Sequence, residues 1–168
     1  PWLPGQEAGY SDADAYSTLS GGSGGYQTPS AVTSSSIRES SLSAHNYYRA
    51  KHGVPALVWS ETVANSAQTW ADKCIFQHSG YGYGENLAWG HQSIEEAIAD
   101  WYNEIHSYNW YNPGFSMGTG HFTQMVWKTS QHLGCARGNC PNMNLWVCQY
   151  DPPGNYMGQF AQNVLPLQ

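Results

Sequence analysis

The sequence predicts an α+β fold on three observations. Three stretches between residues 36 and 105 carry apolar side chains at the spacing of amphipathic helices. Two apolar runs, residues 133–137 and 145–150, are separated by the turn sequence Gly-Asn-Cys-Pro-Asn and predict an antiparallel hairpin. The length of 168 residues suits one domain with a tail.

The first two predicted helices have defined starts. Ser36 and Glu39 form a capping box, and the helix that follows runs to about His52, with Gly53 as its stop. The second helix begins after Ser60. Its predicted face towards the core consists of Val63, Ala67, Trp70, Ala71 and Cys74.

The third predicted helix carries a candidate site carboxylate. It begins at a second capping box, Ser93 with Glu96, and its buried stripe consists of Ile94, Ile98, Trp101 and Ile105. At 100° per residue, Glu104 lies about 80° from the centre of this stripe. We therefore expect Glu104 to face a cleft, whereas Glu95, Glu96 and Asp100 should face solvent.

Two histidines stand beside glycine-rich turns. His78 and Glu85 flank residues 80–84, a loop that should bring both side chains to a common point. A solvated turn is the alternative interpretation for Glu85. His121 follows Gly118-Thr119-Gly120, where the glycines leave the backbone free to adopt positive φ, and it precedes an apolar segment. His121 therefore either faces a cleft or is a buried histidine with satisfied hydrogen bonds.

An aromatic loop surrounds the sequence Asn-Pro-Gly at residues 112–114. The Pro-Gly pair predicts a turn, and turns lie at the surface. Exposed rings there would form an apolar patch that binds a ligand or a partner, or the rings could fold back onto the core. The residues assigned to the patch are Tyr108, Trp110, Tyr111, Pro113 and Phe115.

Charge and hydropathy exclude several partners. With 6 basic residues, 12 acidic residues and no basic run, the chain should bind neither nucleic acid nor an anionic membrane surface. No apolar run approaches the roughly 18–20 residues of a transmembrane helix. The chain begins at Pro1 rather than Met, from which we expect a mature or trimmed form, and we expect a monomer.

The four cysteines are Cys74, Cys135, Cys140 and Cys148. They form no C-x-x-C pair, so a zinc knuckle is not predicted. Two disulfides are expected in an oxidising compartment, which indicates a secreted protein, and four free buried thiols are the alternative. Three pairings are compatible with four cysteines, and spacing alone does not choose among them.

Residues 1–36 differ from the rest of the chain. They contain eight Ser, six Gly, three acidic residues and no Lys or Arg. Such a composition buries too little apolar surface to offset the entropy of ordering. We therefore predict a low-complexity tail over residues 1–36 and a folded domain over residues 37–168.

Five segments, in order, resemble the CAP superfamily of cysteine-rich secretory, antigen 5 and pathogenesis-related 1 proteins. They are residues 45–59, 78–88, 101–104 (WYNE), 120–127 (GHFTQMVW) and 147–156 (VCQYDPPGNY). The resemblance extends from about residue 37 to the C-terminus and leaves the tail outside. It implies a three-layer α-β-α sandwich with a central antiparallel sheet.

The resemblance also implies a site and a disulfide pattern. Its cleft is lined by four residues, His78, Glu85, Glu104 and His121, whose nitrogen and oxygen atoms suit a divalent cation, zinc or magnesium. The implied disulfides are Cys74–Cys140 and Cys135–Cys148. The extra cysteine pair of plant-type members is missing, which leaves the aromatic loop less restrained.

The function implied by the resemblance is a secreted lipid-binding protein rather than an enzyme. Sterols would bind the aromatic loop, fatty acids would bind an apolar channel between helices, and a role in host–microbe interaction or defence is expected. A metal-dependent hydrolase that uses the four cleft residues is one alternative. It lacks H-E-x-x-H, and no Ser or Cys is expected beside a candidate base. A signalling or interaction protein is the other alternative, through the Pro-Gly-Asn region near the C-terminus.

Overall fold

A computed structural model describes residues 34–168 of the protein, so the predicted tail lies outside the described residues up to the start of α1. In chain order the elements are α1 (Ser34–Lys51), β1 (Val58–Trp59), α2 (Glu61–Ala71), β2 (Gly84–Trp89), α3 (Ile94–Asn103), a 3-10 helix (Glu104–Ser107), α4 (Gly120–Met125), β3 (His132–Arg137), β4 (Leu145–Asp151) and α5 (Phe160–Asn163). None of the helices in this range is long and apolar enough to cross a membrane.

The predicted starts of α2 and α3 are confirmed. The Ser60 hydroxyl accepts a hydrogen bond from the backbone N–H of Val63 at 3.2 Å, and Ser93 accepts one from Glu96 at 3.2 Å. These are N-cap contacts that satisfy orphan donors of the first turn. The start of α1 was predicted two residues too late, because the helix already begins at Ser34.

The sheet has the order β1-β3-β4-β2. β3 and β4 form the predicted antiparallel hairpin, and β2 pairs antiparallel with the other side of β4. β1 differs from the expected antiparallel sheet, because its two residues run parallel to the start of β3. The sheet is therefore mixed, with a very short parallel edge strand.

Helices cover both faces of the sheet, which gives the predicted three layers. On one face, two residues of α2, Ala67 and Ala71, pack against four residues of the sheet: Leu87, Ala136, Leu145 and Val147. On the other face α1, α3 and α4 enclose a larger aromatic core, whose bulkiest members are Trp101, Phe122, Trp127, Trp146 and Tyr150. Strand alternation assigns neighbouring residues of β2 and β4 to opposite faces.

One glycine of β3 is required by close packing. A Cβ atom at Gly134 would collide with the backbone nitrogen of Ala64. The absence of a side chain therefore lets the backbone of α2 approach the sheet directly.

Two disulfides connect these elements, with the pairing implied by the family resemblance. Cys74–Cys140 fastens the end of α2 to the turn between β3 and β4, and Cys135–Cys148 joins directly opposed residues of β3 and β4. No free cysteine remains in the described part of the chain, so the alternative of four thiols is wrong.

Candidate functional site

The first predicted pair, His78 and Glu85, is in contact. The Nδ1 atom of His78 lies 2.9 Å from Oε1 of Glu85, the second residue of the buried part of β2. The same carboxylate accepts from Ser79 through its backbone N–H at 2.8 Å and its hydroxyl at 2.6 Å, and from Nε2 of Gln149 at 2.7 Å. The Glu85 side chain is only 3 % exposed, so a solvated turn is the wrong interpretation.

The electrostatics of Glu85 follow from these donors. Burial raises the pKa of its carboxyl group, but hydrogen bonds from His78, Ser79 and Gln149 outweigh that effect and leave the pKa below its ordinary value. Glu85 is therefore a carboxylate at neutral pH. A carboxylate with a lowered pKa is a weak general base.

The hydroxyl of Ser79 corrects one sequence-based expectation. A serine does lie beside a candidate base, because Ser79 Oγ is 2.6 Å from Glu85 Oε2. Ser79 and Gln149 were both missed as site residues. The adjacency of Ser79 to His78 was the available signal for Ser79, whereas the placement of Gln149 opposite Glu85 depends on strand register.

His121 and Glu104, the other two residues of the implied cleft, are also in contact. Nδ1 of His121 lies 2.7 Å from Oε2 of Glu104, while Oε1 accepts from the backbone N–H groups of His121 at 2.9 Å and Phe122 at 3.0 Å. The carboxylate thus accepts from two backbone N–H groups in the first turn of α4. Thr119, the residue before this helix, makes no side-chain hydrogen bond that would cap it. Trp101 stacks on the imidazole at 5.9 Å between ring centroids.

The local backbone at His121 differs from the prediction. Gly118 and Gly120 do not adopt positive φ. His121 is fully buried and its Nδ1 meets Glu104, so its ring lies inside the fold rather than at an open surface.

The two pairs are connected through β2. Asn86, the neighbour of Glu85, donates its side-chain N–H to the carbonyl oxygen of His121 at 3.0 Å. Within residues 34–168, however, no group of three or more His, Cys, Asp or Glu side chains is arranged to hold a metal ion. The four predicted residues therefore form two histidine–glutamate pairs.

The aromatic loop is divided between core and surface. Tyr108 is buried against Trp110 and Phe122, with ring centroids 4.7 and 5.7 Å apart, and Trp110 and Phe115 are half-buried on the same core. Tyr111 is 101 % exposed, and Pro113 is exposed beside it. Folding back onto the core is thus correct for three residues, and the exposed patch is confined to two.

The exposed tip is held by two supports that were not predicted. Oδ1 of Asn109 accepts from the backbone N–H groups of Tyr111 at 3.0 Å and Asn112 at 3.2 Å, which is an Asx turn. His52, at the end of α1, stacks on Trp110 with an interplanar angle of 17°. The exposed tip is therefore held in place by a hydrogen-bonded turn and by the packing of Trp110.

A separate groove of about 540 Å³ lies between α1 and α3. Like the expected apolar channel, it lies between two helices. Its lining places two carboxylates among hydroxyl groups and apolar surface: Glu39, Ser40, Ser43, Ala44, Tyr47, Tyr48 and Glu95.

Comparison with known proteins agrees with this fold and these motifs. Residues 42–150 match the profile described as CAP, the cysteine-rich secretory protein family. Protein PRY2 of Saccharomyces cerevisiae is 45 % identical over 135 residues, which cover 76 % of this chain and 41 % of PRY2. Secreted protein RBT4 of Candida albicans is 44 % identical over 171 residues, which cover 92 % of this chain and 48 % of RBT4.

The chain spans less than half the length of each of these two fungal relatives. Among solved structures, the crystal structure of NaASP2 with Zn2+ has a TM-score of 0.67 at 27 % identity, and the match covers 83 % of this chain and 90 % of that chain. The profile match over more than half of the sequence, together with these relatives, shows that the chain belongs to the CAP family of cysteine-rich secretory proteins.

Proposed function

We propose that the protein is a secreted lipid-binding protein that takes a sterol at the tip of its aromatic loop. The observation that carries this proposal is the full exposure of Tyr111, next to exposed Pro113, on a loop whose other rings are packed. A flat, nearly apolar ligand such as a sterol makes few polar demands and fits aromatic and proline surfaces.

The rigid base of the loop supports the proposal. A tip fixed by Asn109 and by the stacking of Trp110 on His52 loses little conformational entropy when a ligand binds. The groove between α1 and α3 offers a less suitable surface, because Glu39 and Glu95 stand in its lining. A fatty acid carboxylate would meet like charge there.

Secretion is supported by the two disulfides, which form in oxidising compartments, and by the similarity to a relative named as a secreted protein. A binding role is also favoured over the hydrolase alternative. The serine nearest a carboxylate donates to Glu85, whose lowered pKa makes it a weak base for activating a hydroxyl.

The test of the lipid proposal is sterol binding by the secreted protein and its variants. Lipid extraction and mass spectrometry identify what the protein carries, and labelled cholesterol measures affinity. Burial of one large aromatic side chain contributes about 1.5–3 kcal/mol, so Tyr111→Ala should weaken binding by roughly one to two decades.

Two matched tyrosine variants serve as controls. Tyr81→Ala removes a tyrosine that is 43 % exposed outside the loop and should leave sterol affinity unchanged. Tyr47→Ala alters the groove between α1 and α3. Loss of sterol binding in Tyr47→Ala, with full binding in Tyr111→Ala, would reject the loop and assign the ligand to the groove.

A second candidate function is divalent-cation binding, favoured by the two histidine–glutamate pairs. The donor chemistry fits zinc, but both oxygens of Glu85 and of Glu104 already accept hydrogen bonds. We propose that His78 and His121 are the ligands through Nε2, while each glutamate orients its ring through Nδ1. The similarity to NaASP2, whose crystal structure is described as containing Zn2+, supports a cation-binding role for the fold.

Zinc titration tests the cation site. The wild type should bind weakly, and affinity should fall as pH drops through the histidine range, because protonated imidazole cannot bind the ion. The double variant His78→Ala with His121→Ala should lose binding. Equal titration of zinc into the folded double variant would show that the ligands lie elsewhere.

A further inference from the structure

We propose that Gln149 is a positioning residue for His78. It anchors the Glu85 carboxylate, and Glu85 in turn determines which ring nitrogen of His78 carries the hydrogen. The inference rests on the proposed cation site, because it explains how one of the two histidines is prepared to bind. Gln149 lies directly opposite Glu85 in the β2–β4 ladder, and its Nε2 donates to Glu85 Oε2 at 2.7 Å.

The donors around Glu85 come from two parts of the fold. His78 and both donors of Ser79 belong to the segment that precedes β2, whereas Gln149 belongs to β4. Without Gln149, the carboxylate would keep, among the described residues, only the hydrogen bonds from His78 and Ser79, which both belong to the segment before β2. Gln149 therefore ties the carboxylate to the sheet, which is the more rigid element.

The other end of the Gln149 amide distinguishes a site role from a structural role. Gln149 is fully buried, and its Oε1 has no hydrogen-bond partner among the described residues. An unpaired buried acceptor is unfavourable and offsets part of the stability that the hydrogen bond to Glu85 contributes. The hydrogen bond from its N–H group to Glu85 is therefore the reason we assign to the presence of an amide at this position.

Gln124 shows what a structural buried glutamine looks like in this protein. Its Oε1 accepts from the backbone N–H of Gly154 at 2.9 Å, and its Nε2 donates to the Ser130 hydroxyl at 3.2 Å. Both ends of that amide fasten α4 to other segments. The Nε2 of Gln149 contacts the Glu85 carboxylate and, at the longer distance of 3.4 Å, the Ser79 hydroxyl that donates to the same carboxylate.

The consequence for His78 follows from hydrogen-bond roles. An ionised carboxylate only accepts, so the Nδ1 atom that lies 2.9 Å from Glu85 Oε1 must carry the hydrogen. In the neutral ring, Nε2 then has the lone pair that a cation requires. Displacement of the carboxylate would remove the contact that selects this tautomer.

The experiment compares Gln149→Met, Gln124→Met and the wild type. Nitrogen NMR reports the tautomer of each neutral histidine, at a pH well above the ordinary histidine pKa of about 6.5. We expect Gln149→Met to lower the Nδ1–H fraction of His78 and to weaken Zn2+ binding about tenfold, the usual loss when an orienting partner of a ligand is removed. Urea unfolding of both variants measures the structural cost: Gln124→Met removes hydrogen bonds that connect three segments and should lose more stability than Gln149→Met, which removes one of several donors to Glu85.

His91, whose Nε2 lies 2.6 Å from Asp100, is an internal control, and its tautomer should not change. Ser79→Ala removes a second donor and should shift His78 in the same direction, which keeps the test decisive if Gln149→Met fails to fold. An unchanged His78 tautomer in folded Gln149→Met, or in Ser79→Ala where Gln149→Met does not fold, would overturn the proposal. If the wild type binds no zinc, the cation function fails, but the tautomer measurement still decides the role of Gln149.

Discussion

Arg49 on α1 donates from Nη1 to the carbonyl oxygen of Trp127 at 2.8 Å, in the interior of the protein. Its guanidinium forms no ion pair with any carboxylate of the described residues and instead contacts further backbone carbonyls, those of Pro55, Met125, Lys128 and Ser130. Burial lowers the pKa of Arg49 to about 10, so the group is still charged at neutral pH. One side chain thus fastens α1 to the end of α4 and the segment before β3.

Arg49→Met should therefore destabilise the protein by about 3 kcal/mol or more, because several buried carbonyls lose their donors. Arg49→Lys should restore little, since an ammonium group cannot reproduce the planar fork of donors. Urea unfolding measures the effect. Arg38→Met is the matched control: Arg38 is 53 % exposed and pairs with Glu61, and its loss should cost less than about 1 kcal/mol. A similar small loss for Arg49→Met would contradict this account.

Local signals predicted most of the secondary structure. The caps at Ser60 and Ser93 and the hairpin of β3 and β4 depend on residues near each other in the chain, and the structure confirms them. The parallel pairing of β1 with β3 was not predictable in the same way. It depends on where the chain returns to β1 after α4, and β1 has only two residues to show any periodicity.

A second prediction concerns acid stability. His45 is fully buried, with Nδ1 2.8 Å from the Ser41 carbonyl oxygen and Nε2 2.7 Å from the Tyr150 hydroxyl. Burial lowers its pKa from 6.5 to about 4, assisted by the charge of Arg49 and opposed by the Ser41 contact. Between these two values the unfolded chain takes up a proton that the folded protein refuses. Stability should therefore fall as pH drops from about 6.5 to 4, by on the order of 3 kcal/mol.

Unfolding free energies measured across this pH range check the prediction. His45→Gln should flatten the curve, whereas His106→Gln, at an exposed position, should leave it unchanged. A His45→Gln protein with the wild-type pH dependence would assign the effect to another group. His52 is the next candidate, because burial lowers its pKa as well.

The disulfides give a third prediction. Cys74–Cys140 joins residues 66 apart in sequence, and in the chain-entropy view a loop of that length contributes about 4 kcal/mol. The double variant Cys74→Ser with Cys140→Ser should lose that stability. Hydrogen exchange should increase at the end of α2 and in the turn before β4, and peptide mapping should retain Cys135–Cys148. An unfolding free energy of the double variant equal to that of the wild type would contradict the predicted contribution of this bridge.

The candidate site was predictable in its ionisable residues but not in its arrangement. The motifs identified both histidines and both glutamates, because each stands in a distinctive local sequence. The hydrogen bonds that the two carboxylates accept were not predictable from the sequence. Glu85 accepts from Ser79 and Gln149, and Glu104 accepts at the start of α4, and these contacts depend on how the strands and helices pack. The division of the aromatic loop likewise depends on packing, since sequence alone does not show which ring meets Phe122.

The last prediction concerns the separation of the two proposed sites. They share one wall, because the backbone N–H of Phe122 donates to Glu104 while its ring contacts Tyr108 and Trp110 of the loop. The exposed loop residues and the histidine pairs are otherwise built from different elements. Variants at the tip and at the imidazoles should therefore have separable effects.

Pro113→Ala with Phe115→Ala should weaken sterol binding by roughly one to two decades and leave zinc binding intact. Because Phe115 is half-buried on the core, Tyr111→Ala with Pro113→Ala is the companion variant, which removes only exposed side chains. His121→Gln should lose zinc and keep sterol. Phe122→Leu removes the ring under the loop but keeps the backbone N–H that donates to Glu104, so it should impair sterol binding alone. Sterol and zinc binding are measured on each variant after circular dichroism confirms folding. Undiminished sterol uptake by both folded loop variants would place the lipid in the groove between α1 and α3, and joint loss of both ligands in the tip variants would mean one shared site.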